Sequence, residues 1–97
     1  MSLVFSKGET PFLYLGGKSS AENEFFLQDT KITHILNLAE ELENFFPKDF
    51  EYKKIDLEDN EECNISKYFK ETNDFIQEAF DSKEGKILIH CVGKFLF

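Results

Sequence analysis

The run Lys86-Ile87-Leu88-Ile89-His90-Cys91 decides how this chain is read. Three consecutive aliphatic residues followed by a polar pair read as a short strand buried on both faces, the pattern of an inner strand in a parallel sheet. In open α/β sheets the reactive groups sit beyond the carboxyl ends of the strands. His90 and Cys91 fall at such an end. A thiol is a strong nucleophile at neutral pH once its pKa is lowered, so Cys91 is a candidate for covalent chemistry. Taken alone, a cysteine in this setting is more often a buried structural residue.

Working outward, the chain alternates strands with helices, which predicts an α/β fold: a mostly parallel twisted sheet flanked by helices. Phe12-Leu13-Tyr14-Leu15 reads as a strand closed by Gly16-Gly17. A short helix is predicted over residues 21–28, capped by Ser19 or Ser20. Ile32-Thr33-His34-Ile35-Leu36-Asn37-Leu38 is nearly continuous apolar sequence and reads as a second buried strand. An acidic turn or helix is predicted over 40–46, stopped by Pro47. A third parallel strand is expected over 50–57. The longest helix is expected over 65–80, capped by Asn64 or Ser66. Its apolar face is Ile65, Tyr68, Phe69, Thr72, Phe75, Ile76, Ala79 and Phe80. Residues 82–85 form the turn into the 86–90 strand. Asp59 lies just past the third strand, on the same edge of the sheet as Cys91.

Ninety-seven residues, 41% hydrophobic and 31% charged, suit one small globular domain over residues 1–97. The net charge of −8 argues against nucleic acid or an anionic membrane as a partner. The two cysteines, Cys63 and Cys91, are too few for a disulfide framework. They point to a reducing, cytoplasmic setting, with the nucleus as the alternative. Cys63 reads as an ordinary loop residue; a disulfide with Cys91 is the other option. His34 and His90 are the only histidines, and nothing else supplies a ligand set for a metal.

Several stretches together resemble the dual-specificity protein phosphatases, a branch of the protein tyrosine phosphatases. Phe12-Leu13-Tyr14-Leu15-Gly16 is similar to that family's early strand. Ile32-Thr33-His34-Ile35-Leu36-Asn37-Leu38 is similar to its Ile-Thr-His-Ile-Leu-Asn strand. Tyr52 through Asp59, then Asn64-Ile65-Ser66-Lys67-Tyr68-Phe69 and Asp74-Phe75-Ile76, are similar to its acid loop and following helix. Ile87-Leu88-Ile89-His90-Cys91 is similar to its nucleophile strand. The resemblance implies hydrolysis of phosphotyrosine and phosphoserine or phosphothreonine esters in phosphoproteins, without a cofactor or metal. It makes Cys91 the nucleophile, Asp59 the general acid and His90 the residue that holds the thiolate. Val92, Gly93 and Lys94 become the phosphate-binding loop.

The family pattern His-Cys-x-x-Gly-x-x-Arg is met here by His90-Cys91-Val92-Gly93-Lys94-Phe95-Leu96-Phe97. Lys94 stands at the glycine and Phe97 at the arginine, and all eleven basic residues of the chain are lysines. An arginine clamp on a transferring phosphoryl group is worth roughly 10³–10⁵ in rate, so little or no activity is expected of this sequence. The alternative is a non-catalytic pseudophosphatase or interaction module. The chain is further expected to be a truncated domain without the family's later helices. One sheet face, carrying Ile35, Leu36, Ile87, Leu88 and Ile89, would then be left bare. Self-association through that face or through the Phe95-Leu96-Phe97 tail is the expected consequence.

Overall fold

The computed structural model describes residues 2–38, 43–55 and 69–90. Its elements in chain order are β1 (Ser2–Lys7), β2 (Thr10–Gly16), α1 (Lys18–Ala21), α2 (Glu24–Thr30), β3 (His34–Asn37), β4 (Glu51–Lys54), α3 (Phe69–Asp81) and β5 (Ile87–His90). The five strands form one sheet in the order β1-β2-β5-β3-β4. β1 and β2 form an antiparallel hairpin. β2, β5, β3 and β4 run parallel. β5, last in chain order among the described strands, is thus the middle strand in space.

β5 earns that place by its side chains. Ile87 and Leu88 are fully buried, and Ile89 nearly so. Ile87 and Ile89 join a core with Phe12, Leu36, Phe75 and Ala79 on the α3 face. Leu88 points the other way, into a core with Ala21, Leu27, Ile32 and Ile35. Alternate residues of one strand therefore feed two cores, as its two-residue period requires. Burying each aliphatic side chain contributes roughly 1.5–3 kcal/mol.

These positions correct one expectation. Ile35, Leu36, Ile87, Leu88 and Ile89 do not form a bare face: α3 covers one side of the strands and α1 and α2 cover the other. Among the described residues, the large apolar ones that do face solvent are Leu3, Val4 and Phe5 on β1, and Phe25 and Phe26 on α2.

The helices follow the predicted pattern with shifted ends. The helix expected over 21–28 is two pieces. Its second piece is capped by Asn23, whose side chain accepts a hydrogen bond from the Phe26 N–H at 3.1 Å. Neither Ser19 nor Ser20 caps it; both lie inside α1. An Asn-to-backbone bond satisfies a donor that the first helical turn cannot pair internally. α2 stops at Lys31, which takes a left-handed conformation with φ 66°. α3 buries Phe75 and Ala79 and half-buries Thr72, Ile76 and Phe80, so the predicted stripe faces the sheet. The stretch 65–68, with Asn64 and Ser66, lies outside the described residues. So do 40–42 of the predicted acidic turn; residues 43–46 are not helical. β1 was not predicted at all, because Ser2-Leu3-Val4-Phe5 shows no alternation and pairs only through the turn at Gly8, where φ is 65°.

Two local devices seat β5. The Thr33 hydroxyl donates to the Lys86 carbonyl at 3.1 Å and accepts from the Lys86 N–H at 3.0 Å. The same hydroxyl lies 2.7 Å from His34 Nδ1, a hydrogen bond that ties the His34 ring to the start of β5. Gly85 meanwhile lies against the end of α3. A Cβ built there would come within 1.9 Å of the Ala79 carbonyl oxygen. Any side chain forces backbone apart at the point where the chain leaves the helix for the central strand. Gly85→Ala is expected to destabilise the fold by about 1–3 kcal/mol, the range for overpacking, as read from the midpoint of a urea melt. An unchanged midpoint would show that the turn relaxes freely.

Candidate active site

The four parallel strands end together. Gly16 of β2 pairs with His90 of β5, His90 pairs with Asn37 of β3, and Asn37 pairs with Lys54 of β4. This row forms the carboxyl edge of the sheet. Residues in register across a sheet share a face. Leu88 and Ile35, two residues earlier on their strands, pack on the α1–α2 side. The row therefore belongs to that side.

His90 is 1% exposed and Asn37 is fully buried. The His90 carbonyl accepts from the Leu38 N–H at 2.9 Å, and the Asn37 carbonyl accepts from the Ile55 N–H at 2.9 Å. Pairing thus continues one residue past each strand and holds the edge rigid. The Asn37 side chain donates from Nδ2 to Asn44 Oδ1 at 3.2 Å, tying the sheet edge to the segment that leaves β3. Gly16 allows α1 to close over the row. A Cβ at Gly16 would meet Ser20 Cβ at 2.9 Å and Leu88 Cδ1 at 3.3 Å.

Of the residues singled out in the sequence, His90 sits on this edge. Cys91 follows it directly in the chain. Cys91, Asp59, Val92, Gly93 and Lys94 lie outside the described residues, as do Asp56, Glu58 and Cys63. His34 and His90 are not brought together. His34 aligns with Ile87, three residues from the His90 row, or about 10 Å along the strand. Its ring packs edge-on against Phe75 at 5.4 Å. Sequence reasoning passed over Asn37 and Lys54 as parts of this edge. The signal was present in Asn37, a lone amide closing an apolar strand, which is costly to bury without a partner.

Lys53, next to the row, reaches Glu71 of α3 at 3.6 Å. With both side chains substantially exposed, the pair adds little stability. Behind the edge, the Tyr52 hydroxyl accepts from the Phe46 N–H at 3.0 Å and pins the β3–β4 connection to the sheet. Burial holds the Tyr52 pKa above its usual value of about 10. The Asp49 carboxylate pushes the same way, and the Phe46 hydrogen bond opposes both.

Similarity to known proteins agrees with this geometry. His90 closes the central parallel strand at the edge where open α/β domains carry their reactive groups, and Cys91 is the next residue in the chain. Residues 13–93 match the family model described as dual specificity phosphatase, catalytic domain. The chain is 43% identical over 81 residues to a protein phosphatase Slingshot homolog of Xenopus laevis, covering 84% of this chain and 12% of that protein. It is 43% identical over 81 residues to dual specificity protein phosphatase 19 of Mus musculus, covering 84% of this chain and 36% of the relative. The crystal structure of DUSP15 superposes with a TM-score of 0.73 at 34% identity, over 81% of this chain and 49% of that one. The human tyrosine phosphatase-like serine/threonine/tyrosine-interacting protein superposes with a TM-score of 0.71 at 34% identity, over 81% and 56%. The chain therefore belongs to the dual-specificity phosphatase family. It spans well under half the length of these curated relatives and about half of these solved chains.

The Tyr52 shift carries a signed pH dependence. A group whose pKa is higher in the folded state contributes stability that is complete below its unfolded value and is lost as pH rises through the folded value. Urea melts of the parent chain should therefore lose stability above about pH 10, and Tyr52→Phe should lose less over the same interval. Equal alkaline losses in the two proteins would remove Tyr52 as the cause.

Proposed function

We propose that this chain is a cysteine-dependent phosphatase domain of low turnover acting on phosphoproteins, with Cys91 as nucleophile, Asp59 as general acid and His90 as a positioning residue. The observation that carries this reading is the single row Gly16, His90, Asn37 and Lys54, which ends all four parallel strands at one edge just before Cys91 in the chain. The Cys91 thiolate attacks phosphorus, forming an S–P bond as the ester P–O bond breaks. Asp59 gives its proton to the leaving oxygen. Water then attacks phosphorus and loses a proton to the Asp59 carboxylate; the S–P bond breaks and returns the thiolate. Phosphotyrosine and phosphoserine or phosphothreonine esters follow the same two steps.

The equatorial oxygens need positive charge in both steps. The backbone N–H groups of Val92 and Gly93, with the Lys94 ammonium, are the proposed cradle. A lysine is a point charge without arginine's planar fork, and the sequence contains no arginine. Turnover of p-nitrophenyl phosphate is therefore expected to lie at least about 10³-fold below that of a family member with the arginine. What remains should vanish in Cys91→Ser. Near-normal turnover that depends on Cys91 would overturn the low-turnover reading; residual turnover that survives Cys91→Ser would overturn the site.

A second reading, self-association as an interaction module, is favoured by β1. It is an edge strand, and Leu3, Val4 and Phe5 on it are each about half exposed. An exposed apolar edge strand can pair with its own copy across a two-fold axis. We propose this edge, rather than the sheet faces, as the contact. Sedimentation at micromolar concentration should show a dimer that Val4→Lys converts to monomer. A parent chain that sediments as a monomer would refute the contact. Retained thiols fit a cytoplasmic or nuclear setting for either reading.

A further inference from the structure

At the opposite edge of the sheet lies a cavity of about 820 Å³, lined by the residues that begin the inner strands. Four lysines, Lys7, Lys31, Lys83 and Lys86, border it with one acid, Glu84. The chain as a whole carries 19 acids against 11 lysines, so this local excess of cations runs against the overall charge. Lys86 directly precedes β5 and His90 ends it, about 13 Å apart for four extended steps. The cavity is thus separate from the candidate active site.

The lysines differ in what holds them. Lys7 lies over the Phe80 ring at 4.5 Å and donates to the Phe80 carbonyl at 2.5 Å. Lys31, Lys83 and Lys86 take part in no ion pair among the described residues. Lys31 is set in place by its left-handed cap and Lys86 by the Thr33 clamp on its backbone. Between them the wall is apolar, formed by Pro11, Phe12, Ile32 and Phe50. The cavity falls in the roughly 300–1,000 Å³ range of small-molecule sites, which join an apolar wall to a few placed polar groups.

We propose that this cavity binds an organic phosphate: a small molecule with an apolar or planar body and two or more phosphate charges. Three ammonium groups with no ion pair among the described residues match the charges, and the wall takes the body. An acidic peptide fits less well. Peptides that add to sheets need an unpaired edge, whereas the cavity meets β2, β5 and β3 end-on, and each of these already has a strand on both sides.

The test is calorimetric titration of the full chain with ATP. Saturable binding that weakens with added salt is expected. Lys31→Asn/Lys83→Gln should weaken it at least about tenfold, the loss of two partly exposed charge contacts. Asn tolerates the left-handed conformation at position 31, and an unchanged thermal melt of the double variant confirms its fold. ATP captured at the active site instead would be indifferent to the lysine pair, so the response of the double variant separates the two sites. Inorganic phosphate should bind at least about tenfold more weakly, for want of an apolar body. The proposal is overturned if ATP does not bind, or if the lysine double variant binds ATP as tightly as the parent. It is also overturned if a poly-glutamate peptide binds the same lysines more tightly than ATP.

Discussion

The constraint on which this fold depends is the position of β5, hydrogen-bonded on both edges and covered on both faces. A strand in that position has no freedom of register. A slip by one residue would exchange Leu88 for Ile87 and Ile89 between two differently shaped cores and would turn His90 to the opposite side. The packing of Ile87, Leu88 and Ile89 thus fixes where His90 stands. The Thr33 hydroxyl and the absence of a side chain at Gly85 secure the start of the same strand.

The carboxyl edge inherits that rigidity. His90 and Asn37 are buried polar groups in adjacent strands, and burying such groups is costly unless their bonding is satisfied. The Asn37–Asn44 bond and the backbone bonds to Leu38 and Ile55 extend the order past the strands. The proposed nucleophile is the next residue in the chain after this ordered edge, and phosphoryl transfer depends on such positioning. Charge is the weaker half of the arrangement. The chain is strongly acidic, and its cations are lysines, able to neutralise phosphate without the bidentate geometry of a guanidinium.

The two edges of the sheet divide the lysines. Lys53 and Lys54 close β4 at the carboxyl edge, where Lys53 meets Glu71. Lys7, Lys31, Lys83 and Lys86 gather at the amino edge around an apolar wall. Parallel strands bring this about. Residues that precede strands collect at one end of the sheet and residues that follow them collect at the other, whatever their separation in the chain.

The sequence by itself determined the α/β class, all four parallel strands, the α3 stripe and the place of His90 at a strand end. Continuous apolar runs and a 3.6-residue period are local signals, and local residues suffice to read them. The ordered motifs from Phe12 to Cys91 carried the family as well. Tertiary structure alone decided the rest. β1 exists because a turn at Gly8 folds it onto β2, a pairing its own composition does not announce. The chain splits into α1 and α2 where Asn23 caps the second helix, and α1 packs close because Gly16 has no side chain to meet Ser20. Asn37 and Lys54 join His90 in one row, and four distant lysines share one cavity, because strand order is set by which faces bury together. That choice is made among all strands at once, and no single segment encodes it.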